Sequence, residues 1–180
     1  MRLDITQSWD GTQAVADEVV RVTLSRCAAR DWILEIDAPF HGDPPPPGPA
    51  GSTPGLWDYE AVELFLLAPP DHYLEVEIGP HGHFWMLALR GVRRPFREGL
   101  PLDLVTTRHG THWQARARIG HQHVPTAASR VNAYALHGQG AHRRFLAFQA
   151  VPGSVPDFHR LERFVALAPE LRDPEAPRHR

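Results

Sequence analysis

Between Tyr73 and Ile78 the chain alternates without a break, Leu74, Val76 and Ile78 against Tyr73, Glu75 and Glu77. A period of two belongs to an extended strand, because successive side chains of a strand leave opposite faces, whereas a helix would scatter the two sets around its axis. One face of this strand is aliphatic and the other carries carboxylates. Gly79-Pro80-His81-Gly82 supplies turn chemistry, and His83 to Leu89 reads as the returning strand. A four-residue loop predicts pairing of 78 with 83, 76 with 85 and 75 with 86. That register puts Trp85 and Leu87 on the core face and Phe84, Met86 and Arg90 beside Glu75 and Glu77.

The rest of the chain repeats the theme. Helical periodicity is scarce, and 14 Gly and 18 Pro among 180 residues punctuate short apolar stretches, the pattern of many strands joined by turns. Val20 to Ser25 and Trp32 to Ile36 predict a hairpin that turns near Ala28 to Arg30. Further strands are predicted at Leu56 to Leu67, Leu102 to Thr107, Thr111 to Ile119, Arg130 to His137 and Arg144 to Gln149, nine in all. The segment 42–55 is rich in Pro and Gly and reads as an exposed loop, since proline cannot donate to a ladder. Asp157 to Leu167 fits a short helix capped by Asp157 or an irregular turn. Residues 1–168 are expected to form one domain, and 169–180 a disordered C-terminal tail. The predicted class is all-β, a two-sheet antiparallel β-sandwich with one polar sheet face toward water.

Charge narrows the partners. Nineteen arginines, with no lysine, oppose 21 acidic residues for a net −2, so the basic footprint of a nucleic-acid binder is missing. No apolar run is long enough to span a membrane. The N-terminal residues lack the apolar stretch of a secretory signal, and Cys27 has no partner within the chain, so a cytoplasmic protein with a reduced thiol is expected. Neither a Gly-rich phosphate loop nor a Gly-x-Ser-x-Gly elbow occurs, and no cofactor is implied.

The strongest chemical signal is the carboxylate set Glu60, Glu63, Glu75 and Glu77. A sheet that lines up negative charges must neutralise them or leave them wet. One reading is a binding face in which the carboxylates accept hydrogen bonds from hydroxyl groups. Arg90, Arg116 and Arg118 would balance the charge, Trp57, Tyr59 or Phe84 would stack on the ligand, and His137 would lie at the strand end. Another is a solvated face of Glu–Arg pairs. A third is a hydrolase, though Glu75 and Glu77 project side by side from one strand instead of flanking a bond; Glu63 with either of them is the better acid–base pair. His81 with His83, and His121 with His123, point alike on an extended chain but lack a third ligand at metal-site spacing. Arg90, Arg93, Arg94 and Arg97 read as a solvated loop ahead of an anion site.

The segments Leu56-Trp57-Asp58-Tyr59-Glu60-Ala61-Val62-Glu63, Tyr73-Leu74-Glu75-Val76-Glu77-Ile78-Gly79-Pro80-His81-Gly82, Asn132-Ala133-Tyr134-Ala135-Leu136-His137-Gly138 and Pro156-Asp157-Phe158-His159-Arg160-Leu161-Glu162 resemble a small uncharacterised family. That family is related to the family 9 carbohydrate-binding modules and to DOMON-like domains. The resemblance runs over roughly residues 15–167. It implies a jelly-roll sandwich and a sugar or other polyhydroxylated ligand, held in the larger group by a pair of tryptophans. Trp57 is available for that role, while Trp85 and Trp113 read as core. The expected function is therefore a non-catalytic module binding on a concave face through Trp57, Tyr59, Glu60, Glu63, Glu75, Glu77, Phe84, Arg90, Arg116 and His137. The alternatives are a glycoside hydrolase using paired Glu residues and a protein-interaction module that uses a sheet edge or the proline loop.

Overall fold

The computed structural model describes residues 1–27 and 30–172. In chain order its strands are β1 (Arg2–Ile5), β2 (Gln7–Ser8), β3 (Val20–Arg26), β4 (Trp32–Pro39), β5 (Gly51–Ser52), β6 (Ala61–Ala68) and β7 (His72–Ile78), followed by β8 (His83–Arg90), β9 (Pro95–Arg97), β10 (Asp103–His109), β11 (His112–Ile119), β12 (Arg130–His137), β13 (Arg144–Ala147) and β14 (Val165–Ala166). Among the described residues there are only 3-10 turns besides these strands, and no helix is long and apolar enough to cross a membrane.

Two sheets result. The first has the order β1-β3-β4-β11-β10, and the second β2-β13-β12-β6-β7-β8-β5, with β14 beside β12 and β9 beside β8. Pairing is antiparallel throughout except for the two-residue parallel contact of β5 with β8. The sheets pack face to face, and the alternation along each strand says why. Val22, Leu24, Leu34, Ile36, Trp113, Ala115 and Ile119 of the first sheet meet Val62, Leu64, Leu66, Leu74, Val76, Ile78, Met86 and Val131 of the second in one continuous core. Trp113 is paired across the ladder with Ala38, so a large side chain sits beside a small one.

The β7–β8 hairpin corrects the predicted register. Ile78 pairs with Phe84, Glu77 with Trp85, Val76 with Met86 and Glu75 with Leu87. Only Pro80, His81 and Gly82 form the loop: Gly79 N–H donates to the His83 carbonyl at 2.9 Å, and Gly82 has φ +83°. This is a turn closed by a left-handed glycine bulge. The one-residue slip exchanges every side chain of β8 between faces. Phe84 and Met86 therefore pack in the core, and Trp85 and Leu87 stand with the carboxyls.

The second correction concerns water. The polar, wet face belongs to the first sheet, where exposed Arg21 lies 3.8 Å from Asp37 and exposed Arg116 lies 3.6 Å from Glu35. The outer face of the second sheet is instead roofed by a second apolar layer that includes Phe65, Tyr73, Leu87, Tyr134, Phe158, Leu161 and Phe164. Phe158 stacks on Tyr134 at 3.9 Å between ring centroids. Buried Asn132 ties this roof down: its amide donates to the Tyr134 hydroxyl at 2.7 Å and the Gln149 carbonyl at 3.0 Å. Its side-chain oxygen accepts the Ala133 and Gln149 N–H groups.

Smaller differences follow from tertiary pairing. Leu3 and Ile5 make β1, absent from the predicted set, and Gly51–Ser52 of the proline loop is recruited to the edge of β8. Leu56–Asp58 is a 3-10 turn ahead of β6, and Leu161–Arg163 is another ahead of β14. Pro169–Leu171, expected in the tail, forms a 3-10 turn that buries Leu171. The rest of that tail, 173–180, and Ala28 and Ala29 of the first turn lie outside the described residues.

Candidate functional site

Where the apolar roof stops, the outer face of the second sheet opens into a cleft of 930 Å³. The register builds its floor. Tyr134, Glu63, Glu77 and Trp85 lie in one row across β12, β6, β7 and β8, and Asn132, Phe65, Glu75 and Leu87 form the next. Glu63, Glu75, Trp85 and Leu87 line the cleft. Trp57 and Asp58 supply one wall from the turn before β6, with Trp57 47% exposed. Gly138 to Arg143, between β12 and β13, form another.

Arg143 holds these two walls together. Its guanidinium donates to the carbonyls of Gly138 at 2.9 Å, Trp57 at 2.7 Å and Tyr59 at 2.9 Å. The turn it closes requires glycine at 138, where φ is +75° and a Cβ would stand 2.3 Å from the His142 carbonyl oxygen. The Gly138 N–H donates to Asp43 at 2.6 Å, which anchors the turn to the start of the proline loop.

The far wall comes from Pro156 to His159 and from Arg93. Arg93 pairs with Asp157 at 2.8 Å, and its backbone N–H donates to the Tyr73 hydroxyl at 3.0 Å. The Tyr73 hydroxyl is also hydrogen-bonded to His159 Nδ1, 2.7 Å away. Burial pushes His159 down to about 4, so the ring is neutral near neutral pH, and pushes Tyr73 up to about 12.

The floor carboxyls are as buried as core residues: Glu63 is 2% exposed, Glu75 4% and Glu77 0%. Burial raises all three. Glu63 is pushed up to about 8 against the pull of Arg143. Glu77 rises to about 10 through burial and then the charges of Glu63 and Glu75, and Glu75 is raised well above the carboxylate range by burial and by Glu63. Glu75 Oε2 and both carboxyl oxygens of Glu77 make no hydrogen bond within 3.5 Å, although the Trp57 backbone N–H is near enough to Glu77 to oppose its rise. The floor is thus a set of protonated acids, with Glu75 bringing an unpaired oxygen to the cleft.

Of the sequence-predicted residues, Trp57, Glu63 and Glu75 meet in this cleft, with Glu77 beside them on the floor. Tyr59 contributes its carbonyl to Arg143. The others lie elsewhere. Glu60 accepts the backbone N–H groups of His41 and Asp43 and fixes the proline loop; burial pushes it up to about 7. Phe84 is on the core face because of the register. Arg90, opposite His72 at the end of β8, lies over the Phe96 ring at 5.6 Å. Arg116 and Arg118 are on the other sheet, Arg118 bound to Asp31 at 2.6 Å. His137 points inward at the edge of the sandwich, stacked on His41 at 3.5 Å with Nε2 3.1 Å from Glu18. Among the described residues no group of three or more His, Cys, Asp or Glu is arranged to hold a metal ion.

The residues that sequence reasoning missed are Trp85, Arg143, Phe158 and the place of His159 in the cleft lining. Trp85 had a signal, the Pro80-x-Gly82 spacing of the bulged turn. Arg143 had none, because only the fold brings it to the Trp57 carbonyl.

No family model matches the chain. A curated mouse (Mus musculus) protein, the UPF0462 protein C4orf33 homolog, is 38% identical over 190 residues, covering 97% of this chain and 98% of that one. The chain belongs to the UPF0462 family. The human UPF0462 protein C4orf33 is 36% identical over 98% of this chain and 95% of its own, and the zebrafish (Danio rerio) homolog is 40% identical over 89% and 85%. The UPF0462 fold is also that of solved carbohydrate-binding proteins. A putative carbohydrate-binding protein from Bacteroides uniformis superposes with a TM-score of 0.71 at 14% identity, covering 92% of this chain and 84% of that one. A family 9 carbohydrate-binding module from Caldicellulosiruptor kristjanssonii, solved with cellotriose, gives 0.52 at 10% identity over 83% and 72%. At such identities the likeness is one of fold.

Proposed function

We propose that this UPF0462 protein is a non-catalytic carbohydrate-binding module and that its ligand enters the cleft between Trp57 and Trp85. The observation that carries the reading is the meeting of two tryptophans with buried polar groups in one open cleft. Indole faces pack on the C–H faces of a sugar ring, and a few placed polar groups fix its hydroxyls. Protonated Glu63 and Glu75 each donate one hydrogen bond and accept others, which suits hydroxyls. His159 adds a polar ring from the wall. The fold neighbour solved with cellotriose, and the one described as a putative carbohydrate-binding protein, support the ligand class by analogy.

A hydrolase is less well served by the same residues. Its two carboxyls must differ, one protonated as acid and one ionised as base or nucleophile. Burial pushes Glu63, Glu75 and Glu77 in the same direction.

Isothermal titration against a panel of soluble oligosaccharides, cellotriose included, tests the proposal. Binding without turnover is expected, and Trp57→Ala and Trp85→Ala should each weaken it about tenfold or more, equivalent to about 1.4 kcal/mol. Unchanged affinity in both variants, with unchanged melting temperature, would remove the cleft from the account.

A further inference from the structure

We propose that the sugar taken by this cleft carries a free amino group, seated as an ammonium on the floor carboxyls of Glu63 and Glu75; the inference rests on the carbohydrate reading above and narrows it. Three observations carry it.

The first is the unspent oxygen. Glu75 lines the cleft while 4% exposed, and its Oε2 has no partner. Leaving buried acceptors unpaired is costly. An ammonium is three donors and no acceptor, the complement of such a floor. Glu63 and Glu75 both line the cleft, and Glu77, paired with Glu63 across β6 and β7, stands beside them at 0% exposure, so two carboxyls can close on one charged nitrogen.

The second is the sign of the rim. Asp58 and Glu98 line the cleft, and Asp157 stands behind Arg93. Arg93 is paired with Asp157, and Arg143 spends its donors on three backbone carbonyls. With the floor carboxyls protonated, the two rim acids balance the two arginines that line the cleft, so ionisation of a floor carboxyl gives the cleft a net negative charge.

The third is the aromatic flank. Trp57 and Trp85 line the cleft beside the floor, and indole is the side chain that attracts a cation best. The remaining titratable groups near the floor stay neutral: Tyr134 is pushed further up by burial and by Glu63, Tyr73 is raised, and His159 is lowered.

Proton release follows. Burial keeps the carboxyls protonated near neutral pH, so an arriving ammonium converts one or more to carboxylate and the displaced protons pass to the buffer. A neutral sugar releases none.

The test is calorimetric titration of the whole protein at about pH 6, where an aliphatic amine is charged, with a glucosamine trimer, its fully N-acetylated form and cellotriose. Each titration is run in two buffers of different ionisation enthalpy. The glucosamine trimer is expected to bind about tenfold or more tighter than both neutral trimers, with a buffer-dependent enthalpy that reports proton release. In Glu75→Gln, and separately in Glu63→Gln, the ratio of affinities for charged and neutral trimers should fall toward one. Equal or tighter binding of the neutral trimers, or an enthalpy independent of buffer, overturns the ammonium seat and leaves the carbohydrate reading standing. Failure of all three to bind overturns both.

Discussion

Raising the pH from about 6.5 to about 8 makes this protein easier to unfold, by about 1.4 kcal/mol per pH unit for each floor carboxyl that stays protonated. The sign comes from where the protons sit. In the unfolded chain Glu63, Glu75 and Glu77 ionise near the ordinary value of 4.5. In the folded protein burial holds Glu63 up to about 8 and Glu77 up to about 10, with Glu75 also raised. Stability is therefore fully present below the unfolded value and is lost as pH climbs through the folded ones. Histidines act in the opposite sense. His41, His72, His81, His123, His137 and His159 are all lowered by burial from 6.5, so what they contribute is lost as pH falls below that value. Over the first pH unit above it the unfolded chain still sheds histidine protons and offsets part of the carboxyl slope, which runs nearly unopposed from about pH 7.5. Urea unfolding at two pH values measures it. The midpoint should fall between them, and Glu77→Gln should flatten the slope and raise stability near pH 8 by at least about 1.4 kcal/mol. A midpoint that rises or stays flat in the wild type would mean the floor is ionised and wet.

The other large effect is a core one. Trp113→Ala should cost about 3–5 kcal/mol. Trp113 is 1% exposed and stands in the interior beside Ala38, Ala135 and Leu146. Its small neighbours leave space that nothing else can fill, so truncation leaves a cavity as well as losing buried surface. Chemical denaturation followed by far-ultraviolet circular dichroism reads the loss. A cost below about 1 kcal/mol would mean that the sheets collapse onto the gap.

The alternation of β7 and β11 made the sandwich legible, because a period of two with one greasy face has few other homes. Trp113, Ala115, Ala117 and Ile119 on one side of β11, with Gln114, Arg116 and Arg118 on the other, state in residues which face is wet. The site was legible only in part. Glu63, Glu75 and Glu77 were visible as one face, yet their burial was not, since Phe158, Leu161 and Phe164 arrive from the far end of the chain to roof the sheet. Trp85 was lost to a single residue of register. Counting Gly82 as a left-handed bulge position shortens the loop to three residues and turns the indole toward the carboxyls. Arg116 was misplaced because strand periodicity assigns a residue to a face but not to a sheet, whereas His137 shares the inward side of β12 with Val131, Ala133 and Ala135 and so leaves the carboxyl face. Glu60 resembled its carboxylate neighbours in sequence, whereas its place before β6 makes it an acceptor for the His41 and Asp43 backbone.

The most direct measurement is a two-dimensional nuclear magnetic resonance spectrum of the indole N–H groups during titration with a bound oligosaccharide. The chain has 5 tryptophans: Trp57 and Trp85 line the cleft, Trp32 and Trp113 are sealed between the sheets, and Trp9 packs partly buried against the outer apolar layer. The signals of Trp57 and Trp85 should move together and saturate at one ligand concentration, with Trp32 and Trp113 unmoved. Movement confined to backbone signals of the Arg21–Arg116 face, with both cleft indoles still, would contradict the account.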